Sequence, residues 1–219
     1  MLAFTGYTKT LKSLLLTFQM LSVHGKSIDE RGHEDGWGIG YYGKGVTLFK
    51  RAECAHKSQE YLTMAESLTR KNPRVVLAHL RKASPGTPLT DREAHPFQNG
   101  NFLFCHNGSL YQKDGSPLGE ELDSILYFKK IQKTSLKEAV SHFHTLKYTS
   151  LTCLLTDGHT IWGYRDYTEK EDYYTLYYTK KENYILFCSE PIITGEWVLV
   201  GNRELVTVSE TLDIETELL

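Results

Sequence analysis

Residues 105–108 read Cys-His-Asn-Gly at the end of an apolar run. An Asn amide followed by a glycine N–H can present two donors to a developing oxyanion, and the glycine lets a substrate come close. The same Asn-Gly dipeptide is also the strongest short signal for a hairpin turn, and on these residues alone the turn reading prevails. Arg81 closes the apolar run 74–80 and is followed by Lys82, Ala83, Ser84, Pro85 and Gly86. A strand end that breaks into a Pro and Gly loop is a common mount for a binding residue. A guanidinium there can hold a carboxylate through two parallel hydrogen bonds, a geometry lysine cannot reproduce, or it can simply be solvated. Asp123 poses the same choice: on a helix it either faces water or binds a substrate ammonium. For both, the solvated reading prevails on sequence alone.

Nine histidines raise the question of a metal. No pair has the i, i+4 spacing of H-E-x-x-H, and His142 and His144 point to different faces of a helix, so no metal is expected. His33 with Asp35, and His79 with His106, are pairs that can meet in space, although ordinary buried or solvated histidines explain each. Gly38, Gly40 and Gly43 spell G-x-G-x-x-G, which marks a dinucleotide site only where a strand opens into a helix. Here the run continues through Tyr41 and Tyr42 into a hairpin, so the glycines are expected to serve packing and a turn. Cys54, Cys105, Cys153 and Cys188 lie 35 to 51 residues apart, with neither the pairing of a zinc site nor the density of a disulfide scaffold. Free thiols in a reducing cytosol are expected.

The elements that must position these groups follow from hydrophobic periodicity. Residues 2–5 read as a buried strand, and Leu11, Leu14, Leu15 and Phe18 fall at the i, i+3, i+4, i+7 spacing of a helix face. Residues 37–42 and 46–50 flank Gly43, Lys44 and Gly45 as a hairpin. Ser58 is the expected cap of a helix reaching about Arg70, with strands over 74–79 and 102–105. Helices are expected over 120–131 and around Leu136, Ala139, Val140 and Phe143. From Tyr148 onward the pattern is strand: 150–155, 160–165, 173–179, 184–188, 197–200 and 205–208. Helices mixed with hairpin strands imply an α+β domain of antiparallel sheet.

Composition sets the outer limits. The 219 residues are 40% apolar and 24% charged, with 17 Gly and 6 Pro, which argues against disorder and predicts one domain over 1–219. Against 27 Asp and Glu stand 25 Lys and Arg, a net charge of −2, with no basic stripe to release counterions from nucleic acid. No stretch reaches the roughly 18 apolar residues of a membrane span. A cytoplasmic protein without nucleic-acid or membrane partners is expected.

Taken together, residues 31–42 (RGHEDGWGIGYY), 78–86 (AHLRKASPG), 94–110 (AHPFQNGNFLFCHNGSL) and 122–124 (LDS) resemble the class II glutamine amidotransferases in order and separation. Ser189, Glu190, Pro191, Trp197 and residues 204–208 resemble the end of that family's small standalone members. The resemblance implies an N-terminal nucleophile hydrolase fold, a four-layer αββα sandwich of antiparallel sheets. It also implies hydrolysis of the side-chain amide of glutamine or another γ-glutamyl compound through a thioester on an N-terminal cysteine. The nucleophile's own α-amine, titrating near ~7.7 to 8.0, serves as the base. By the same resemblance Asn107 and Gly108 form the oxyanion hole, Arg81 grips the substrate α-carboxylate, Asp123 pairs with the α-ammonium, and Ser84 assists near the carboxylate. No metal or organic cofactor is implied. Released ammonia either passes to a separate subunit or goes to water.

The chain departs from the family at its start. It opens Met1, Leu2, Ala3, Phe4, Thr5, Gly6, whereas the family's branch opens Met, Cys, Arg before the strand. The expectation is a chain clipped by about three positions, its nucleophile lost and this polypeptide inactive. The competing expectations are a complete, non-catalytic remnant that binds a γ-glutamyl ligand or a partner protein, and a plain interaction module.

Overall fold

The computed structural model describes residues 1–28 and 32–219. The chain begins with strand β1 (Leu2–Gly6), helix α1 (Leu11–His24), the hairpin β2 (Gly36–Tyr42) and β3 (Val46–Arg51), helix α2 (Gln59–Lys71) and strand β4 (Val75–Arg81). Strands β5 (Phe97–Asn99), β6 (Phe102–Asn107) and β7 (Leu110–Tyr111) lead to helices α3 (Asp123–Lys133) and α4 (Leu136–Phe143). The rest is strand: β8 (Lys147–Tyr148), β9 (Thr152–Thr156), β10 (Ile161–Arg165), β11 (Tyr177–Lys181), β12 (Tyr184–Cys188), β13 (Val198–Leu199), β14 (Glu204–Val208) and β15 (Ile214–Leu218).

One sheet runs β13-β11-β12-β1-β4-β2-β3 and the other β15-β14-β10-β9-β6-β5, while β7 pairs with β8 alone. Period-two alternation along the strands separates three apolar layers. Leu2 and Phe4 of β1, with Val76 and Ala78 of β4, pack outward against Leu11, Leu14, Leu15 and Phe18 of α1 and Tyr61, Ala65 and Leu68 of α2. Their neighbours Ala3, Val75 and Leu77 point the other way, onto Leu103 and Cys105 of β6 and Leu154 of β9 in the facing sheet. Phe104 of β6, with Cys153 and Leu155 of β9, then meets Tyr127, Phe128 and Ile131 of α3 and Val140 and Phe143 of α4. Helices, sheet, sheet, helices is the αββα order that the family resemblance implies.

The close approach of the layers needs glycine at chosen points. A Cβ on Gly40 would lie 2.5 Å from Leu103 of the facing sheet, and one on Gly38 would lie 2.2 Å from the His95 carbonyl. The G-x-G-x-x-G run is therefore packing and turn chemistry, as its hairpin context predicts. Ser58 caps α2 as expected, its hydroxyl accepting from Tyr61 N at 3.0 Å. The expected helix over 120–131 begins at Asp123.

Three expectations fail in instructive ways. Asn107–Gly108 is not a hairpin turn: β6 pairs with β5 and β9, and the chain beyond Gly108 leaves the sheet for β7 and its partner β8. The expected strand 173–179 starts only at Tyr177, because the buried Arg165 donates to the carbonyls of Tyr174 (2.7 Å), Glu171 (3.0 Å) and Val200 (2.9 Å) and holds the segment before β11 as a turn. β5, β7, β8 and β15 have no counterpart in the sequence reading. Ladder partners far along the chain define these short or polar strands, so local pattern carries little of their signal.

Candidate active site

Four strand ends and one helix end converge at one rim of the sandwich. Antiparallel pairing of Leu2 with Ala78 and of Gly36 with Arg81 brings the start of β1, the start of β2 and the end of β4 to the same edge. β6 ends there from the second sheet at Asn107, and α3 begins there at Asp123. The narrow cavity between them is lined by Met1, Arg81, Ser84, Asn107, Gly108 and Asp123, together with His79, His95, His106, Ser189 and Glu190. The five residues to which the resemblance gives a role, Arg81, Ser84, Asn107, Gly108 and Asp123, thus all border one cavity. Arg31, the first residue of the motif 31–42, lies outside the described residues.

Arg81 is 3% exposed. Its guanidinium donates to the Pro88 carbonyl at 3.0 Å and to Thr87 Oγ1 at 3.4 Å, which uses two of its five N–H groups. Burial pulls its pKa down while Glu93 and Asp35 oppose that shift. The loop after it is tied back by Asp35, whose backbone N–H donates to the Arg81 carbonyl and whose carboxylate accepts from Ala83 N, at 3.0 and 2.9 Å. Asp123 accepts from Leu110 N at 2.8 Å through one oxygen and from Ser124 N at 2.7 Å through the other. These bonds fix its carboxylate at the mouth of α3, where the helix dipole favours negative charge. Ser84 is exposed and sits at the rim.

Gly108 has no room for a side chain. A Cβ there would stand 2.0 Å from the Ser150 carbonyl oxygen and 2.8 Å from His106 Nε2. The segment is pinned on both flanks, with Ser109 N donating to Thr149 Oγ1 and His106 bridging Ser124 Oγ and the Ser150 carbonyl, each contact 2.9 Å. The Asn107 side-chain amide has no hydrogen-bond partner among the described residues and is left for the cavity. An amide donor beside a glycine, a buried cation and a fixed carboxylate form a set that can bind an α-amino acid zwitterion and stabilise an oxyanion.

Met1 enters the cavity from the other sheet. Its amine donates to Ser189 Oγ at 3.2 Å and its carbonyl accepts from Ser189 N at 3.0 Å. Thr175 Oγ1 in turn donates to the Ser189 carbonyl at 2.7 Å. None of the four cysteines, all unpaired, lines this cavity. Burial pushes the Cys105 thiol up to about 12 and the Cys188 thiol up to about 11, and it raises Cys153 as well. These are core residues, with Cys105 between the sheets.

Neither His33 with Asp35 nor His79 with His106 forms a pair, and the histidines have other partners. His79 stacks on His95 with ring centroids 4.5 Å apart, and His33 bonds the Lys26 carbonyl at 2.9 Å, while Asp35 serves Ala83. Burial first, and neighbouring positive charge next, hold His79 and His95 neutral. His79 Nδ1 and both His95 ring nitrogens lack partners among the described residues. No group of three or more His, Cys, Asp or Glu among the described residues is arranged to hold a metal ion.

Residues 5–184 match the family model of the class-II glutamine amidotransferases. The chain belongs to that family. A probable glutamine amidotransferase of Saccharomyces cerevisiae, DUG3, is 32% identical over 124 residues, 50% of this chain and 34% of the relative. An uncharacterized protein of Methanocaldococcus jannaschii is 26% identical over 166 residues, 66% of this chain and 46% of the relative. The chain therefore spans less than half the length of the curated relatives it matches. Among solved structures, a glutamine aminotransferase class-II domain protein from Silicibacter pomeroyi superposes with a TM-score of 0.68 at 15% identity, covering 99% of this chain and 97% of the other. Glutamine phosphoribosylpyrophosphate amidotransferase of B. subtilis gives 0.67 at 14% identity, covering 99% of this chain and 48% of that enzyme. At such identities the likeness speaks for the fold, and the chemistry of this chain must be argued from its own cavity. Sequence reasoning missed Ser150 and assigned no role to Ser124 or Ser189, although both lie in segments that carry the resemblance, because each matters through a partner at least 18 residues away or at the opposite chain end.

Proposed function

We propose that this cavity hydrolyses the side-chain amide of glutamine or a related γ-glutamyl compound through a cysteine thioester. The observation that carries the reading is the meeting of the β1 start with Arg81, Asn107, Gly108 and Asp123 around one space. In this reading Arg81, with Ser84 nearby, takes the substrate α-carboxylate and Asp123 takes its α-ammonium, so the side-chain amide points along the remaining axis toward Asn107 and Gly108. A thiolate attacks the amide carbon, and the negative charge that forms on oxygen is met by the Asn107 amide and the Gly108 N–H. Collapse expels ammonia, which takes its proton from the nucleophile's α-ammonium. Water then attacks the thioester and releases the acid and the thiol.

The attacking sulfur is assigned to a residue on the N-terminal side of Met1. The register that pairs Leu2 with Ala78 supports this, since continued backward it carries the chain past His79 toward Arg81. The four internal thiols have no free α-amine, and none lines the cavity. A polypeptide working from Met1 would bind a γ-glutamyl ligand without cleaving it, which is the second reading the absence of a thiol from the cavity supports. Ammonia either leaves to water or passes to an acceptor on another chain. Four unpaired thiols suit a reducing compartment, and no helix among the described residues is long and apolar enough to cross a membrane.

The test is the mass of the protein's native N-terminus together with ammonia release from glutamine. An N-terminal cysteine with glutaminase activity is expected, and a chain starting at Met1 should release none. Hydrolysis by that shorter chain would refute the cysteine mechanism. For binding, a γ-glutamyl ligand at 100 times its dissociation constant should add ~2.7 kcal/mol to stability. No thermal shift with any such compound would sink the site itself.

A further inference from the structure

We infer that His106 is the positioning residue of the oxyanion donors, acting as the neutral tautomer protonated on Nε2. The inference rests on the amidohydrolase reading above and adds a residue to it. A carbonyl oxygen can only accept, so the 2.9 Å contact with the Ser150 carbonyl places the ring proton on Nε2. The neutral ring then carries a lone pair on Nδ1, and Ser124 Oγ donates to it at 2.9 Å. One buried ring thereby sets the spacing of three elements: the end of β6, the segment before β9 and the first turn of α3.

The consequence reaches both ends of the substrate site. The Ser150 carbonyl that His106 holds is the atom against which Gly108 is packed without room for a Cβ. Ser124 follows Asp123 directly and donates its N–H to that carboxylate at 2.7 Å. The ring therefore joins the donors for the amide oxygen to the carboxylate for the ammonium. Its walls leave it little freedom: Tyr127 of α3 packs edge-on at 5.3 Å and Phe104 lies parallel at 6.5 Å.

Protonation would place a second N–H on Nδ1, facing a hydroxyl that already donates to it. Ser124 would have to reverse and turn its proton onto Asp123 Oδ1, 3.4 Å away, which weakens that carboxylate's hold on an ammonium. The titratable groups facing the ring are Asp123 and Tyr127 from α3 and His95 from the segment before β5. Burial outweighs the favourable charge of Asp123 and keeps the ring neutral below the usual histidine range.

The experiment uses the full protein with its native N-terminus and two variants. In H106Q the amide nitrogen reaches the Nε2 position and can still donate to Ser150, whereas in H106N it cannot. H106N should lower kcat roughly tenfold to a hundredfold, the scale of a small misplacement of reacting groups, with KM for glutamine little changed. H106Q should recover most of that kcat at similar thermal stability, and its acid limb in the pH profile should shift. Nitrogen-15 NMR of the wild type should find the proton on Nε2. Equal losses in the two variants, or a proton on Nδ1, would overturn the role of His106 while leaving the amidohydrolase intact. A wild type that releases no ammonia from any γ-glutamyl amide would instead sink the functional reading, and this one with it.

Discussion

Asn107 and Arg81 make different demands on a substrate, and kinetics can separate them. Asn107→Ala, made in the protein with its native N-terminus, removes a donor aimed at charge that exists only in the transition state. Turnover should fall roughly 100- to 1,000-fold with KM little altered, and a normal turnover number would dismiss the oxyanion role. Arg81→Lys keeps the charge and loses the planar fork. Because the buried guanidinium spends one donor on Pro88 and another on Thr87, a lysine that kept those partners would have one donor left for a carboxylate and could not grip it through two parallel bonds. KM should rise well before kcat falls, and an unaffected KM would remove Arg81 from the substrate's path. At this scale the sequence was legible in residue type and silent on choice. Taken singly, Arg81, Asn107 and Asp123 each had an innocent explanation; their joint resemblance to a family gave them roles, and the fold sets them around one cavity.

Among the elements, α2 was the most readable. Its cap Ser58, an acid in the first turn and basic residues in the last all agree with local propensity. Ser58→Ala should cost about 1 kcal/mol, read as a lower midpoint in chemical denaturation with an unchanged slope, and an unchanged midpoint would show that packing alone holds the helix. Elements whose partners are distant were the unreadable ones. Tyr173 belongs to a β-rich, tyrosine-rich stretch that reads as strand, yet Arg165 captures the carbonyls around it and makes that stretch a wall of the cavity. The Asn-Gly signal at 107–108 failed for a related reason. β6 finds its neighbours in β5 and β9, so the glycine is left to admit the Ser150 carbonyl instead of closing a turn.

For the molecule as a whole, the buried His79, His95 and His106 and the half-buried His33 give stability a pH dependence. His33 is drawn down to about 4, and His79, His95 and His106 are also lowered, burial being the first cause in each. The unfolded chain, with ordinary histidines near 6.5, takes up protons that the folded one refuses, so stability is full above that value and falls as pH drops through it toward the folded values. Each such histidine adds up to about 1.4 kcal/mol per pH unit to the fall. Denaturant midpoints measured from pH 7.5 down to 4.5 should decline progressively, and a flat profile would mean these rings are not buried in solution. What the amino-acid order determined by itself was the periodicity that sends alternate strand residues to opposite faces and gives each helix one apolar stripe, and hence an α+β domain of antiparallel sheet, because such patterns are local and indifferent to partner, while the four-layer stack was implied by the family resemblance. Only the tertiary structure decided which strand ends share a rim, which carbonyl stands against Gly108 and which histidine stacks on which. Those outcomes depend on registers between segments up to about 190 positions apart, and no short-range preference encodes them.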